Sequence, residues 1–195
     1  MKGSVKLALI YGSAHEGRFC DTIVNWAVSE ICLYGGFELQ LIDPVHLHHP
    51  TQLTPHPHAV LNLKKQLAWA DAFIVATPEY NHGYPAPLKG LIDSAYEEWQ
   101  AKPVAFISYG GISGGLRAVE QLRLVFAELH AVGIRDSVSF SNPWNKFSVE
   151  GILTEPQASR LALARMLASL QWWAQALRAA REATPYGKMA APFLA

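Results

Sequence analysis

Between an apolar run, Val5 to Tyr11, and a stretch of helical spacing lies Gly12-Ser13-Ala14-His15-Glu16-Gly17-Arg18. Backbone N–H groups gathered at a helix N-terminus attract anions, phosphate above all. A dinucleotide fingerprint needs G-x-G-x-x-G, which Ser13-Ala14 does not supply. A Walker A loop needs Lys and a hydroxyl residue after its second glycine, and Arg18-Phe19 stands there instead. What remains suits a terminal monophosphate, with Ser13 as hydroxyl donor and Arg18 as bidentate charge partner. The same letters also fit an ordinary turn with an exposed arginine.

Two further loops follow apolar runs. Thr77-Pro78-Glu79-Tyr80-Asn81-His82-Gly83-Tyr84-Pro85 has prolines near both ends and an aromatic ring among small polar groups. That is equipment for holding a flat heterocycle edge-on, or a stiff connection in which Tyr80 merely packs. Glu79 reads as a loop-stiffening residue. Ser108-Tyr109-Gly110-Gly111-Ile112-Ser113-Gly114-Gly115 carries glycines that let backbone approach a ligand closely, with Arg117 just inside the next helical pattern.

The elements that must position these loops alternate. Apolar runs at Val5 to Tyr11, Phe37 to Ile42, Ala72 to Ala76, Val104 to Tyr109 and Ile134 to Phe140 read as strands. Helical stripes fall between them, including Leu88, Leu91, Ile92, Ala95, Tyr96 and Trp99, and a last helix spans about Pro156 to Glu182. The expected fold is flavodoxin-like: one three-layer α/β/α domain over residues 1–195 with a five-stranded parallel sheet of order 2-1-3-4-5. Such a sheet binds ligands beyond its strand C-termini, where the three loops fall.

Here a resemblance can be stated. GSAHEGRFCDTIVNW, TPEYNHGYPAPLKGLIDSAYEEW and KPVAFISYGGISGGLRAVEQLR resemble the NAD(P)H-dependent FMN reductase family, a flavodoxin-like group that includes quinone, azo-dye and chromate reductases. The resemblance covers roughly residues 5 to 140. It implies FMN, with the phosphate at Ser13 and Arg18, and with His15 and Cys20 among the cofactor-binding positions of the same loop. The ring is implied near Pro78, Glu79, Tyr80, Asn81, Ser108, Tyr109, Gly110 and Gly111. Where many members carry arginine two residues after the GS serine, this chain has His15, which makes the phosphate contact weaker or pH-dependent. Arg18 and Cys20 stand where other members have serine and asparagine.

The resemblance further implies NAD(P)H as co-substrate and hydride transfer through the flavin to quinone, azo, metal or flavin acceptors. His82, Tyr84, Gly114 and Arg117 are the candidates to meet nicotinamide or acceptor. No side chain is assigned as a catalytic acid or base, because hydride transfer needs none. The alternative is a flavodoxin-type electron carrier without NAD(P)H activity. Such carriers are typically acidic, and this chain is not.

The 195 residues carry 16 Lys plus Arg against 16 Asp plus Glu, a net charge of zero. No basic excess points to nucleic acid. No stretch approaches the ~20 apolar residues of a membrane helix, so a cytoplasmic location is expected. His46, His48, His49, His56 and His58 crowd one region without a carboxylate or thiol at ligand spacing, and no metal site is expected. Cys20 also fits a small packing residue. Trp99, Trp172 and Trp173 fall on helical stripes as core or subunit contacts. The apolar half of the composition and the stripe of Leu88, Leu91, Ala95 and Trp99 point to a homodimer or a dimer of dimers.

Overall fold

The computed structural model describes residues 3–47 and 56–188. Its elements run β1 (Val5–Tyr11), α1 (Cys20–Tyr34), β2 (Phe37–Ile42), α2 (Pro57–Trp69), β3 (Ala72–Pro78), α3 (Ala86–Asp93), β4 (Pro103–Gly110), α4 (Leu116–Glu128), β5 (Val132–Ser141) and α5 (Pro156–Ala183). All strand pairs are parallel, and the sheet order is β2-β1-β3-β4-β5. This is the expected order and layering.

Alternate residues of the central strands enter opposite layers, as the two-residue period of a strand requires. Leu7, Leu9, Ile74, Ala105 and Ile107 face α1 and α5. Ala8, Ile10, Phe73, Val75, Val104 and Phe106 face the side of α2, α3 and α4. Every residue of β3 and β4 is buried, which is why their sequences read as unbroken apolar runs rather than alternations.

The stripe after the third strand is corrected in both form and role. The helix stops at Asp93, where the Ser94 hydroxyl donates to the Gly90 carbonyl at 2.7 Å, and a short 3-10 turn at Glu97–Trp99 follows. Leu88, Leu91, Ala95 and Trp99 are all buried against the sheet. Trp99 meets Phe73 edge-on at 4.8 Å between ring centroids, and its Nε1 donates to the Ile92 carbonyl at 3.2 Å. This apolar face is therefore used inside the chain and gives no support to a subunit contact. Trp172 and Trp173 are the reverse case, both lying on the exposed side of α5.

Pro57 opens α2, and the His56 side chain accepts from the His58 N–H. His46 sits in a 3-10 turn at Pro44–His46. His48 and His49 lie outside the described residues. Among the described residues, no helix is long and apolar enough to cross a membrane, and no group of three His, Cys, Asp or Glu side chains could hold a metal ion.

Candidate functional site

Gly12 leaves β1 pressed against β3. A Cβ there would lie 2.6 Å from the Ala76 carbonyl oxygen and 2.7 Å from Thr77 Cα, so only glycine fits. The loop it opens turns Ser13 inward, fully buried, with its hydroxyl 3.2 Å from the Tyr80 hydroxyl. That contact joins the loops after β1 and β3. His15 is exposed and its ring lies 5.6 Å from that of Tyr80. Among the described residues, no backbone N–H from Ala14 to Phe19 finds a backbone acceptor. No side chain caps α1. A row of open donors at the positive end of a helix is an anion site in waiting.

Arg18 takes a different partner from the one expected. Its Nη1 donates to Asp43 Oδ1 at 2.8 Å and also to the Ser13 carbonyl, its Nη2 donates to Asp43 Oδ2, and its Nε donates to Asp21 Oδ1 at 2.9 Å. The guanidinium also stacks over Tyr11 at 4.6 Å. The bidentate group meets a carboxylate, and the two charges cancel. Attraction for an anion in this loop then rests on backbone dipoles, and Arg18 is a positioning residue for the loop. Burial pushes the Asp43 pKa up, but the Arg18 hydrogen bonds and the Val45 N–H more than reverse this and hold it below its ordinary value.

Asp43 was not among the residues singled out from the sequence. The signal for it was available, since order 2-1-3 sets the end of β2 beside the end of β1. Cys20 is also corrected. It is fully buried under the loop, its thiol 3.5 Å from the Ala76 carbonyl, and burial raises its pKa. It packs, and no ligand can reach it there.

The loop after β3 is a tight hairpin. Tyr80 and Gly83 exchange backbone bonds of 2.9 and 3.1 Å, with Asn81 at φ 50° and His82 at φ 74° between them. Two positive φ values in a two-residue loop define the turn that matches strand twist. Asparagine and histidine are among the non-glycine residues that most often adopt that region. Gln121 of α4 steadies the turn by donating to the His82 carbonyl at 2.9 Å. Tyr84 packs half-buried on the α3/α4 core rather than on the loop's outer side.

Glu79 fastens this hairpin to the loop after β4. Its N–H donates to the Tyr109 carbonyl at 3.0 Å. Its nearly buried carboxylate accepts from the Arg117 N–H and the Arg117 Nη1, each at 3.0 Å. Burial raises its pKa, and hydrogen bonds from Ser113 and Arg117 more than offset this, so the carboxylate is held below its usual range. The loop-stiffening role expected for Glu79 has this physical form. Arg117, a candidate for nicotinamide or acceptor, is engaged by it.

In the loop after β4, two expected side chains turn away. Ser108 is buried and donates to the Gly114 carbonyl at 2.8 Å. Tyr109 is buried against the α1/α5 layer, and its hydroxyl has no hydrogen-bond partner among the described residues. Burial raises its pKa. Gly114 and Gly115 serve packing: a Cβ on Gly114 would lie 2.3 Å from Ser139 Oγ, and one on Gly115 2.7 Å from the Tyr109 nitrogen. Gly114, expected to meet a co-substrate, is buried. Gly111 alone opens outward, with nothing within 4 Å of a built Cβ. The Asn142 N–H donates to the carbonyls of Gly110 and Gly111 at 2.7 and 3.2 Å, which ties in the loop after β5. Ser13, His15, Glu79, Tyr80, Gly110, Gly111 and Arg117 thus share one sheet edge, and Cys20, Ser108 and Tyr109 lie beneath it.

Residues 5–145 match the family described as NADPH-dependent FMN reductase. An NAD(P)H-dependent FMN reductase of Schizosaccharomyces pombe is 34% identical over 125 residues, which span 59% of this chain and 62% of that protein. An NAD(P)H:quinone oxidoreductase of Solanum tuberosum is 32% identical over 84% of this chain and 90% of its own length. Among solved structures, the flavoenzyme NAD(P)H:(acceptor) oxidoreductase FerB of Paracoccus denitrificans superimposes with a TM-score of 0.69, at 21% identity over 87% of this chain and 97% of that one. That last likeness is one of fold.

Proposed function

The chain belongs to the NADPH-dependent FMN reductase family, and from that premise we propose that its loops at the strand C-termini hold one FMN and serve the NAD(P)H-dependent reduction of small electron acceptors. The observation that carries this reading is the convergence of the loops after β1, β3 and β4 through Ser13–Tyr80 and Glu79–Tyr109.

The donors present fit that cofactor in two respects. The open N–H groups from Ala14 to Phe19 suit a phosphate monoester, with Ser13 and His15 beside them. Gly111 leaves room for backbone to approach a flat ring, and the N–H groups of Asn81, Gly111 and Ile112 are open among the described residues to a heterocycle's polar edge. When bound, the flavin supplies the two-electron chemistry, taking hydride from a reduced nicotinamide and delivering the electron pair to an acceptor. The chain's own share is position and polarity. Arg18 and Asp43 hold the phosphate loop in shape, the Asn81-His82 turn presents Tyr80, and Glu79 fixes the start of α4. Backbone N–H groups aimed at a ring edge stabilise negative charge there. No side chain is needed as an acid or base.

The rim formed by Tyr80, His82 and Ile112 is exposed. A flat open rim selects acceptors by planarity and reduction potential rather than by a hydrogen-bond pattern. Quinones fit best, in keeping with the name of the potato relative; azo compounds and free flavins follow by planarity, and ferric or chromate ions by reduction potential alone. The test is an absorption spectrum of the purified protein titrated with FMN, followed by NADPH under anaerobic conditions. Uptake of FMN, bleaching on NADPH and recolouring on quinone are expected. No uptake overturns the reading, and uptake without bleaching by NADPH or NADH turns it into an electron carrier.

A further inference from the structure

The N-terminal ends of the strands form the edge of the sheet opposite the loops described above, and charge gathers there. Lys6 stands at the start of β1, Asp71 directly precedes β3, and Lys102 directly precedes β4. The last turns of α5 bring Arg178 and Arg181 to the same place. Asp71 is buried and accepts from three donors: the Lys6 N–H at 3.1 Å, Arg178 Nη1 at 3.0 Å and Arg181 Nη2 at 3.4 Å. Lys6, Trp69, Asp71, Arg178, Arg181 and Glu182 line an open groove of about 610 Å³.

Cations outnumber carboxylates at this edge. Lys6, Lys102, Arg178 and Arg181 stand against Asp71 and Glu182, and Glu98 nearby is paired with Lys64. Lys102 is spent on the last carbonyls of α2, a usual place for a cation. Burial holds the Arg181 pKa below its ordinary value, and the charge of Arg178 pushes the same way in spite of Asp71. Two donors remain unused. Arg178 engages only Nη1, on Asp71 and on the Ser4 carbonyl, so among the described residues its Nε and Nη2 are open. Those two nitrogens form an edge that grips an oxyanion bidentately. The Lys6 ammonium has no oxygen partner among the described residues and lies 5.7 Å over the Trp69 ring. Fastening α5 to the sheet needs the Asp71 bonds, but neither the second edge of Arg178 nor Lys6.

We propose that this groove is an anion site whose ligand is a phosphate group, free or as a monoester, held by the open edge of Arg178 and by the Lys6 ammonium. A tetrahedral oxyanion suits it better than a carboxylate, because it can give two oxygens to the guanidinium and turn a third to Lys6. Trp69 supplies a flat apolar wall for what an ester carries. The groove is separate from the loop after β1: it lies at the other end of the strands, and it draws an anion by side-chain charge where that loop uses backbone dipoles. A ligand there bridges the start of β1 and the end of α5, so binding should also raise the melting temperature.

Isothermal titration of inorganic phosphate into the full chain, loaded with one equivalent of FMN in phosphate-free buffer, tests this. Binding with a Kd below about 1 mM is expected, weakening as NaCl is added. Arg178→Gln should weaken it at least about tenfold, as loss of a charged hydrogen bond does. Lys6→Gln should weaken it about threefold, because an exposed charge counts for less. The Lys6 side chain makes no hydrogen bond or ion pair among the described residues, so Lys6→Gln should fold as the wild type does, and circular dichroism checks both variants. Both positions lie away from the loop after β1, so a loss in them is distinct from a loss at the proposed FMN site. Adenosine monophosphate in the same titration separates the two sources. Tighter binding that Trp69→Leu brings back to the level of phosphate identifies an ester, and binding no tighter than phosphate identifies the free ion. A wild type without binding up to about 10 mM overturns the proposal. So does an affinity that Arg178→Gln and Lys6→Gln leave unchanged.

Discussion

Arg18 and Asp43 form a two-pronged ion pair that locks the first loop of the site to the end of the neighbouring strand. Their side chains are only 9% and 17% exposed. Removing one partner strands the other with little water. Arg18→Ala should therefore destabilise the fold by about 3 kcal/mol, read by urea denaturation. The pair also sets a pH dependence. Asp43 has its pKa lowered in the folded state, so its contribution is complete above the unfolded value of about 3.9 and fades as pH falls through the folded one. The stability difference between wild type and Asp43→Asn should accordingly shrink below about pH 4.

Two glycines of one loop should separate stability from binding. Gly115 has φ 83°, and a Cβ would strike backbone, so Gly115→Ala should cost about 3 kcal/mol or more. Gly111 has free space around it, so Gly111→Ala should change stability by about 0.5 kcal/mol at most. The same methyl would stand where the ring is proposed to lie, and FMN affinity measured by fluorescence quenching should fall. Unchanged affinity in Gly111→Ala would place the ring elsewhere.

Glu79 and Arg117 share a salt bridge but should not share its value. Arg117 is 46% exposed, whereas Glu79 is 6% exposed and also accepts the Arg117 backbone N–H. Arg117→Ala should cost less than about 1 kcal/mol, as surface pairs do. Glu79→Ala loses the first-turn hydrogen bond of α4 as well and should cost about 1–3 kcal/mol. Equal losses in thermal melts would contradict this assignment of the bonds.

At the far edge of the sheet, Lys102 is buried and donates from Nζ to the carbonyls of Leu67 and Ala68 at 2.7 and 3.2 Å. Burial, aided by the positive charge of Arg181, pushes its pKa down to about 8. A lysine of unfolded pKa about 10.4 then binds more protons when unfolded, so stability should rise between pH 8 and pH 10. Replacing it by methionine removes the titrating group. The stability gap between wild type and Lys102→Met should shift in favour of the wild type over that interval.

The sheet order and the convergence of three loops were legible because alternating short apolar runs and helical stripes leave few right-handed arrangements. What each loop side chain touches was not. Asp43 lies 25 positions from Arg18, and only the folded sheet makes them neighbours. Ser108 and Tyr109 sit at a strand end, where strand periodicity sends one side chain to each layer and leaves only backbone to face a ligand. The stripe from Leu88 to Trp99 has the spacing of an apolar face, and spacing does not say whether that face meets its own sheet or another chain. The Asn81-His82 turn was hidden because glycine usually marks such a turn, and histidine here adopts the conformation without it.

The bonds that fasten the site's loops to one another bear on how long it lasts. They join residues distant in sequence: Ser13 to Tyr80 across 67 positions and Glu79 to Arg117 across 38. Such contacts close only after the strands beneath them have paired, so they belong to the late side of the folding barrier. Cutting one should leave the refolding rate nearly unchanged and speed unfolding. The lifetime of the assembled edge, not the pace of its formation, is what these contacts control.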